Sequence, residues 1–204
     1  MKKKILLFIL VMVLVYAIGG VVYYYFNKPK EEENKIVEIP SLDKIDGYDY
    51  ILKSNDSEYY KELFNSLKSV LENKDVDDEE YAKLIAQMFI CDLYTLDNKI
   101  NKYDVGGSRF VLDDYVSNYK LNVQNTLYKY LEDNSNNNRK QELPIVTEIK
   151  IKTSEKTNYK IGDNSYSGYK ITLEWTYKED LGYDSKGEVT LIKNGNKYYV
   201  VQKD

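Results

Sequence analysis

Chemistry in this chain of 204 residues has to be done without histidine, of which there is none, and with one cysteine, Cys91. The usual general base, the usual triad partner and the commonest zinc ligand are thereby removed together. What remains for acid–base work is carboxylates, and Asp92 is the candidate. On its expected helix it shares a side with Tyr81, Ile85 and Met88, so it is the charged residue there that points inward. A buried carboxylate is costly unless hydrogen-bonded. It is either a pocket acid with a raised pKa, able to act as a base, or a core carboxylate satisfied by a tyrosine hydroxyl or backbone amides. The second reading is the plainer one, and Asp92→Asn, which keeps the shape and most hydrogen bonding, is then expected to leave biological activity largely intact.

Other motifs reduce to structure. Asp75, Asp77, Asp78, Glu79 and Glu80 alternate as a calcium loop might, but counting from Asp75 the glycine position holds Glu80 and the bidentate-glutamate position holds Ala86. Acids in a first helical turn, with Asp77 as cap, explain them better. Gly106-Gly107-Ser108 lacks the lysine and the preceding strand of a phosphate loop and is a corner instead. Asn55-Asp56-Ser57 fits a glycosylation acceptor, yet Asn55 with Glu58 also resembles a capping pair, which is favoured. Cys91, flanked by Met88, Phe89 and Leu93, is a packing residue. No catalytic residue, metal ligand or cofactor is assigned.

The elements that carry these residues follow from periodicity. Tyr60, Leu63, Phe64, Leu67, Val70 and Leu71 predict a helix over about Ser57–Asn73, and Tyr81, Leu84, Ile85, Met88, Phe89, Leu93 and Leu96 a second over Asp78–Ile100. After the glycine corner, Leu112, Val116, Tyr119, Val123, Leu127 and Tyr130 predict a third, ending near Leu131 and a polar loop at 133–138. Beyond Pro144 the period falls to two, with Ile145, Thr147, Ile149 and Ile151 facing one side. A single strand to Ile161 would exceed about 50 Å, so a bulge or break is expected near Ser154–Thr157. A turn over Gly162–Gly168 leads into the strand of Tyr169, Ile171, Leu173, Trp175 and Tyr177; a third strand starts at Val189, and Asn194-Gly195 makes a hairpin turn into Tyr198–Val201. The expected class is α+β, three helices on one face of a curved antiparallel sheet of about four strands.

Ile5–Phe26 is an uncharged run preceded by Lys2, Lys3 and Lys4, long enough to cross a bilayer. A cleaved signal peptide ending at Ala17-Ile18-Gly19 is the alternative, and the apolar character continuing through Tyr23–Phe26 speaks against it. The lysine bias keeps residues 1–4 in the cytoplasm. The chain then reads as a single-pass membrane protein: transmembrane helix 5–26, tether 27–47, extracytoplasmic domain 48–204. Five lysines and no acid lie in residues 1–30, leaving 24 bases against 33 acids, a net −9, in residues 31–204. Such a surface disfavours nucleic acid as a partner. One cysteine forms no internal disulfide, so the domain relies on packing.

This order of anchor, helices and bent antiparallel sheet resembles the NTF2-like, cystatin-type cone domains of Gram-positive envelopes, among them VirB8-like and TcpC-like components of conjugation machinery. The resemblance covers about Gly47–Asp204, rests on element order and carries over no functional residue. It implies a cone whose mouth lies between helices and sheet, where Asp92, Phe89, Tyr169, Trp175 and Tyr177 line a ligand pocket. The leading expectation is a non-catalytic, membrane-tethered interaction module of an envelope or transfer complex, with protein partners. A binder of small molecules or peptides in that pocket is the alternative, and an enzyme with Asp92 as base the third reading. A deep cavity faced by Asp92 and Trp175 would favour the latter two, a filled core the first.

Overall fold

The spacing of apolar side chains changes at Pro144, and the architecture changes with it. The computed structural model describes residues 39–204. Ahead of Pro144 lie a short hairpin, β1 (Ser41–Ile45) and β2 (Tyr50–Lys53), then three helices, α1 (Glu58–Leu71), α2 (Asp78–Tyr94) and α3 (Asp113–Asn125), with a 3-10 turn at Ser108–Phe110 before α3. Behind it come β3 (Val146–Ile161), β4 (Asn164–Tyr177), β5 (Lys186–Asn194) and β6 (Lys197–Lys203), each antiparallel to the next in sequence order. The domain is α+β, with three helices and a curved four-stranded antiparallel sheet. The expected membrane-spanning run Ile5–Phe26 lies outside the described residues, as does 27–38 of the expected tether. Among the described residues no helix is long and apolar enough to cross a membrane.

The end of the expected tether is ordered. Ser41–Ile45 pairs with Tyr50–Lys53 around a turn with Gly47 and Asp49 at positive φ, and Ile45, Tyr50 and Leu52 are buried. Tyr50 reaches the hydroxyl of Tyr81 on α2 at 2.7 Å. Strands of five and four residues are too short for alternation to announce them.

Local hydrogen bonding sets the helix ends. Ser57 rather than Asn55 caps α1, its Oγ accepting from the Tyr60 amide, while the Asn55 amide donates to the Asn98 carbonyl. Asp77 caps α2 as expected, accepting from Glu79 and Glu80 N–H. That helix stops at Tyr94, six residues short of the periodicity estimate. Past it, Leu96 N–H donates to Pro144 O and the Thr95 hydroxyl accepts from Val146 N–H, so the backbone turns to hold the start of the sheet. Leu96 stays fully buried off the helix, which is why the apolar rhythm outruns it.

Seventeen residues long with twelve buried, α2 is the axis of the core. Phe64 and Leu67 of α1 lie against one flank, and Ile171, Leu173, Val189 and Leu191 of the sheet form the fully buried floor. Each such side chain stabilises the fold by roughly 1.5–3 kcal/mol. The outer edge of β3 is covered where it passes the helices: Tyr59 Oη accepts from Ile149 N–H, and the Gln87 amide donates to Ile149 O.

The sheet differs from expectation in register. Pairing runs unbroken through Ser154–Thr157, and the irregularities fall instead between Val146 and Glu148 and between Ile151 and Thr153. The first places Val146 in the core in place of Ile145 and Thr147. The β3–β4 turn is Gly162-Asp163 alone, and β4 accompanies β3 to the tip, so strand length is not limited by the core's width. β5 passes too close to Gly168 of β4 for a side chain: a Cβ there would stand 1.8 Å from Leu191 O. The last hairpin turns at Gly195-Asn196, one residue later than expected, closed by Asn194 and Lys197.

Candidate functional site

Asp92 sits in the last turn of α2 and is buried, as its position predicts. The corner after the helix was built to meet it. Gly107, at φ +74°, donates its N–H to Asp92 Oδ2 at 2.8 Å, while Lys99 Nζ, itself buried, lies 2.6 Å from Oδ1. Arg109 Nε stands 3.7 Å from Oδ2. Neither glycine of the corner accepts a side chain. A Cβ on Gly106 would come within 1.9 Å of Asp92 O, and one on Gly107 within 2.6 Å of Tyr119 Oη. Tyr128 Oη accepts from Gly106 N–H and donates to Leu93 O, and Tyr119 Oη donates to Gly106 O, so the corner is held from both sides.

The electrostatics follow from this geometry. Burial pushes the Asp92 carboxyl upward, but the charges of Lys99 and Arg109 and the hydrogen bonds from Lys99 and Gly107 outweigh it and hold the group well below the usual carboxylate range. Of the two readings of Asp92, the satisfied core carboxylate fits, with a backbone amide as foreseen and with two cations the sequence did not disclose. Arg109 extends the network: its guanidinium donates to Ile51 O on β2 and lies over the Tyr60 ring, 5.6 Å from its centroid. A polar cleft of about 210 Å³ borders these residues. Asp56, also on its wall and buried, accepts from Lys53 N–H, and desolvation raises its pKa.

The other four expected pocket residues lie in three places, with Trp175 and Tyr177 together. Phe89 is buried beside Tyr119. Tyr169 belongs to an aromatic row with Tyr198, Tyr81 and Tyr50 inside the core. Trp175 is buried against Tyr94, ring centroids 5.0 Å apart, and its indole N–H donates to Tyr177 Oη, which donates to Asp184 O. Of three clefts formed by described residues, one is lined by Asp92, another by Phe89 and a third by Trp175; Tyr169 and Tyr177 line none of them. Cys91 is fully buried, its thiol pushed up to about 12 by burial.

The largest of these three clefts lies elsewhere and was missed by sequence reasoning. It is a half-open groove of about 650 Å³ between α3, the tip of β3 and the end of β6. Its floor is apolar and aromatic, with Phe89, Val111, Leu112 and Tyr119, and its rim carries Tyr115, Asn118, Asn122 and Lys160. The groove exists because α3 is thinly seated. Only Val123 of its thirteen residues is buried, and Tyr115 and Leu121 are 47% and 58% exposed. The helix ends at Asn125 rather than near Leu131, and the change of phase puts Tyr128, not Tyr130, into the core. The available signal was the narrowness of the apolar stripe, flanked by Asn118 and Asn122, with Tyr115 and Leu121 lying outside it. No family model, no curated protein and no solved structure matches this chain.

Proposed function

We propose that the protein is a non-catalytic interaction module, held outside the cytoplasmic membrane by Ile5–Phe26 and serving an envelope or transfer complex, with an NTF2-like cone as its scaffold. The observation that carries this reading is the contrast between a committed carboxylate and an open groove. Asp92, the candidate base, already has a lysine, an arginine and a backbone amide as partners, whereas the α3 groove presents aromatic and amide side chains to solvent. A general base poised for work near neutral pH has a raised carboxyl pKa; this one is depressed. The alternative, a binder of small molecules, is supported by the groove's volume, which falls among those of ligand pockets.

The test is site-specific photocrosslinking in cells. A photoreactive residue at Tyr115 is expected to capture an envelope protein, while one at exposed Leu42 on β1 captures none. Protease added to intact protoplasts should remove the domain beyond Lys28 and spare the N-terminus. A protected domain, or equal capture at both positions, would contradict the proposal.

A further inference from the structure

The α3 groove is bounded by the two outer edges of the four-stranded sheet, β3 and β6, neither of which has a further strand beside it among the described residues. At the end of β6, Asp204 exchanges both backbone hydrogen bonds with Glu188 of β5, at 3.1 and 3.0 Å. In an antiparallel ladder such pairs alternate with pairs whose N–H and C=O point away from each other. Lys203, one residue back, therefore turns its backbone donor and acceptor outward, where among the described residues β6 has no neighbouring strand and a single bridge, Val111 to Val200. On β3, Ile161 and Asn164 close a two-residue hairpin, so Lys160 likewise turns its backbone away from β4. Lys160 and Lys203 both line the groove.

Charge narrows the occupant. Among the described residues no acid lines the groove, although residues 31–204 carry a net −9. The Lys203 ammonium is turned to Asp184 and the Tyr94 ring. The Lys160 ammonium forms no ion pair among the described residues. Resting on the reading of this groove as the interaction face, we infer that it receives an extended peptide segment of a protein partner, which adds as a strand to the free edge of β6, sets apolar side chains on Phe89, Leu112 and Tyr119 and places a carboxylate at Lys160. Edge addition supplies affinity through main-chain hydrogen bonds, and the floor supplies specificity through alternate side chains.

Panning the full chain in detergent micelles against a display library of random peptides tests this. Expected are enriched peptides with an acidic residue among alternating apolar ones. Lys203→Pro deletes an N–H that no strand among the described residues uses, and Lys160→Glu reverses the free charge. Each should weaken the enriched peptides by about 10-fold, the equivalent of one lost hydrogen bond, and the Lys160→Glu loss should shrink with added salt. Both variants must keep the parent's unfolding midpoint; if Lys203→Pro does not, Lys160→Glu alone decides. No enrichment, peptides indifferent to both changes, or a dimer formed through β6 that excludes peptide would overturn the inference. The outcomes separate from those of the proposed function: peptides enriched on the groove with no crosslink in cells retain the site and sink the envelope role, while a crosslink at Tyr115 without peptide enrichment does the reverse.

Discussion

Two helices of similar length do opposite work. α2 buries twelve of seventeen residues, and every charge it takes inside is answered by the Gly106-Gly107 corner, Lys99 and Arg109. α3 buries one of thirteen and leaves aromatic side chains over an open groove. The polar group that looks most like chemistry in the sequence is a bolt of the scaffold, and the poorly seated helix offers the surface. Binding surfaces are drawn from the less stable parts of a fold, where packing has not used up the side chains.

The sharpest way to break this comparison is at Asp92. Asp92→Asn keeps the shape but strands the Lys99 ammonium in the core, so a loss of about 3–5 kcal/mol is expected in urea unfolding, as for other buried pairs deprived of one partner. An unfolding midpoint equal to the parent's would show that the pair is not structural. The sequence did not disclose this cost in stability, because the lysine partner was not visible there. Trp175→Ala should cost a similar ~3–5 kcal/mol through the cavity left against Tyr94 and Tyr177. A loss below 1 kcal/mol, by the same measurement, would place Trp175 outside the core.

The two buried aspartates differ in sign. Asp92, with its folded pKa depressed, contributes stability above its unfolded value of about 3.9, lost as pH falls toward the folded one. Asp56, with its pKa raised, contributes fully below about 3.9, and that contribution fades as pH rises through the folded value. Asp56→Asn should therefore raise the midpoint at neutral pH and little at about pH 4; unchanged stability at neutral pH would refute the sign. Cys91, a buried thiol with raised pKa, should resist thiol reagents in the native domain and react in denaturant. Rapid native labelling would show α2 to be as loosely held as α3. The smallest stability change belongs to the groove: Tyr115→Ser should shift unfolding by no more than ~0.5 kcal/mol, yet abolish photocrosslinking from a neighbouring probe at Asn118.

Much of the fold was legible because its long elements bury regular stripes. Tyr81 to Leu93 and Tyr169 to Trp175 announce α2 and β4, and Asp77 announces its cap. The missed features depend on contacts distant in sequence. The partner that turns Asp92 from base to bolt is seven residues on, beyond a helix end set by Pro144 and Val146. The β1–β2 hairpin is held by Tyr81 and Arg109, not by its own pattern. Phe89, Tyr169 and the Trp175–Tyr177 pair form one pocket in a one-dimensional reading, but each packs with its own distant partners, Tyr119, Tyr198 and Tyr94 respectively. The groove went unread because α3 gives a helix pattern without revealing how shallowly it sits.

Hydrogen exchange measured on the full chain in micelles, with and without a peptide enriched on the groove, tests the central claim most directly. The account predicts that amides of α2 exchange only through global unfolding and those of α3 through local opening, and that peptide protects residues 115–122 and 200–203 while leaving 99–109 unchanged. Protection centred on Asp92, Lys99 and Arg109, with the groove unaffected, would contradict it.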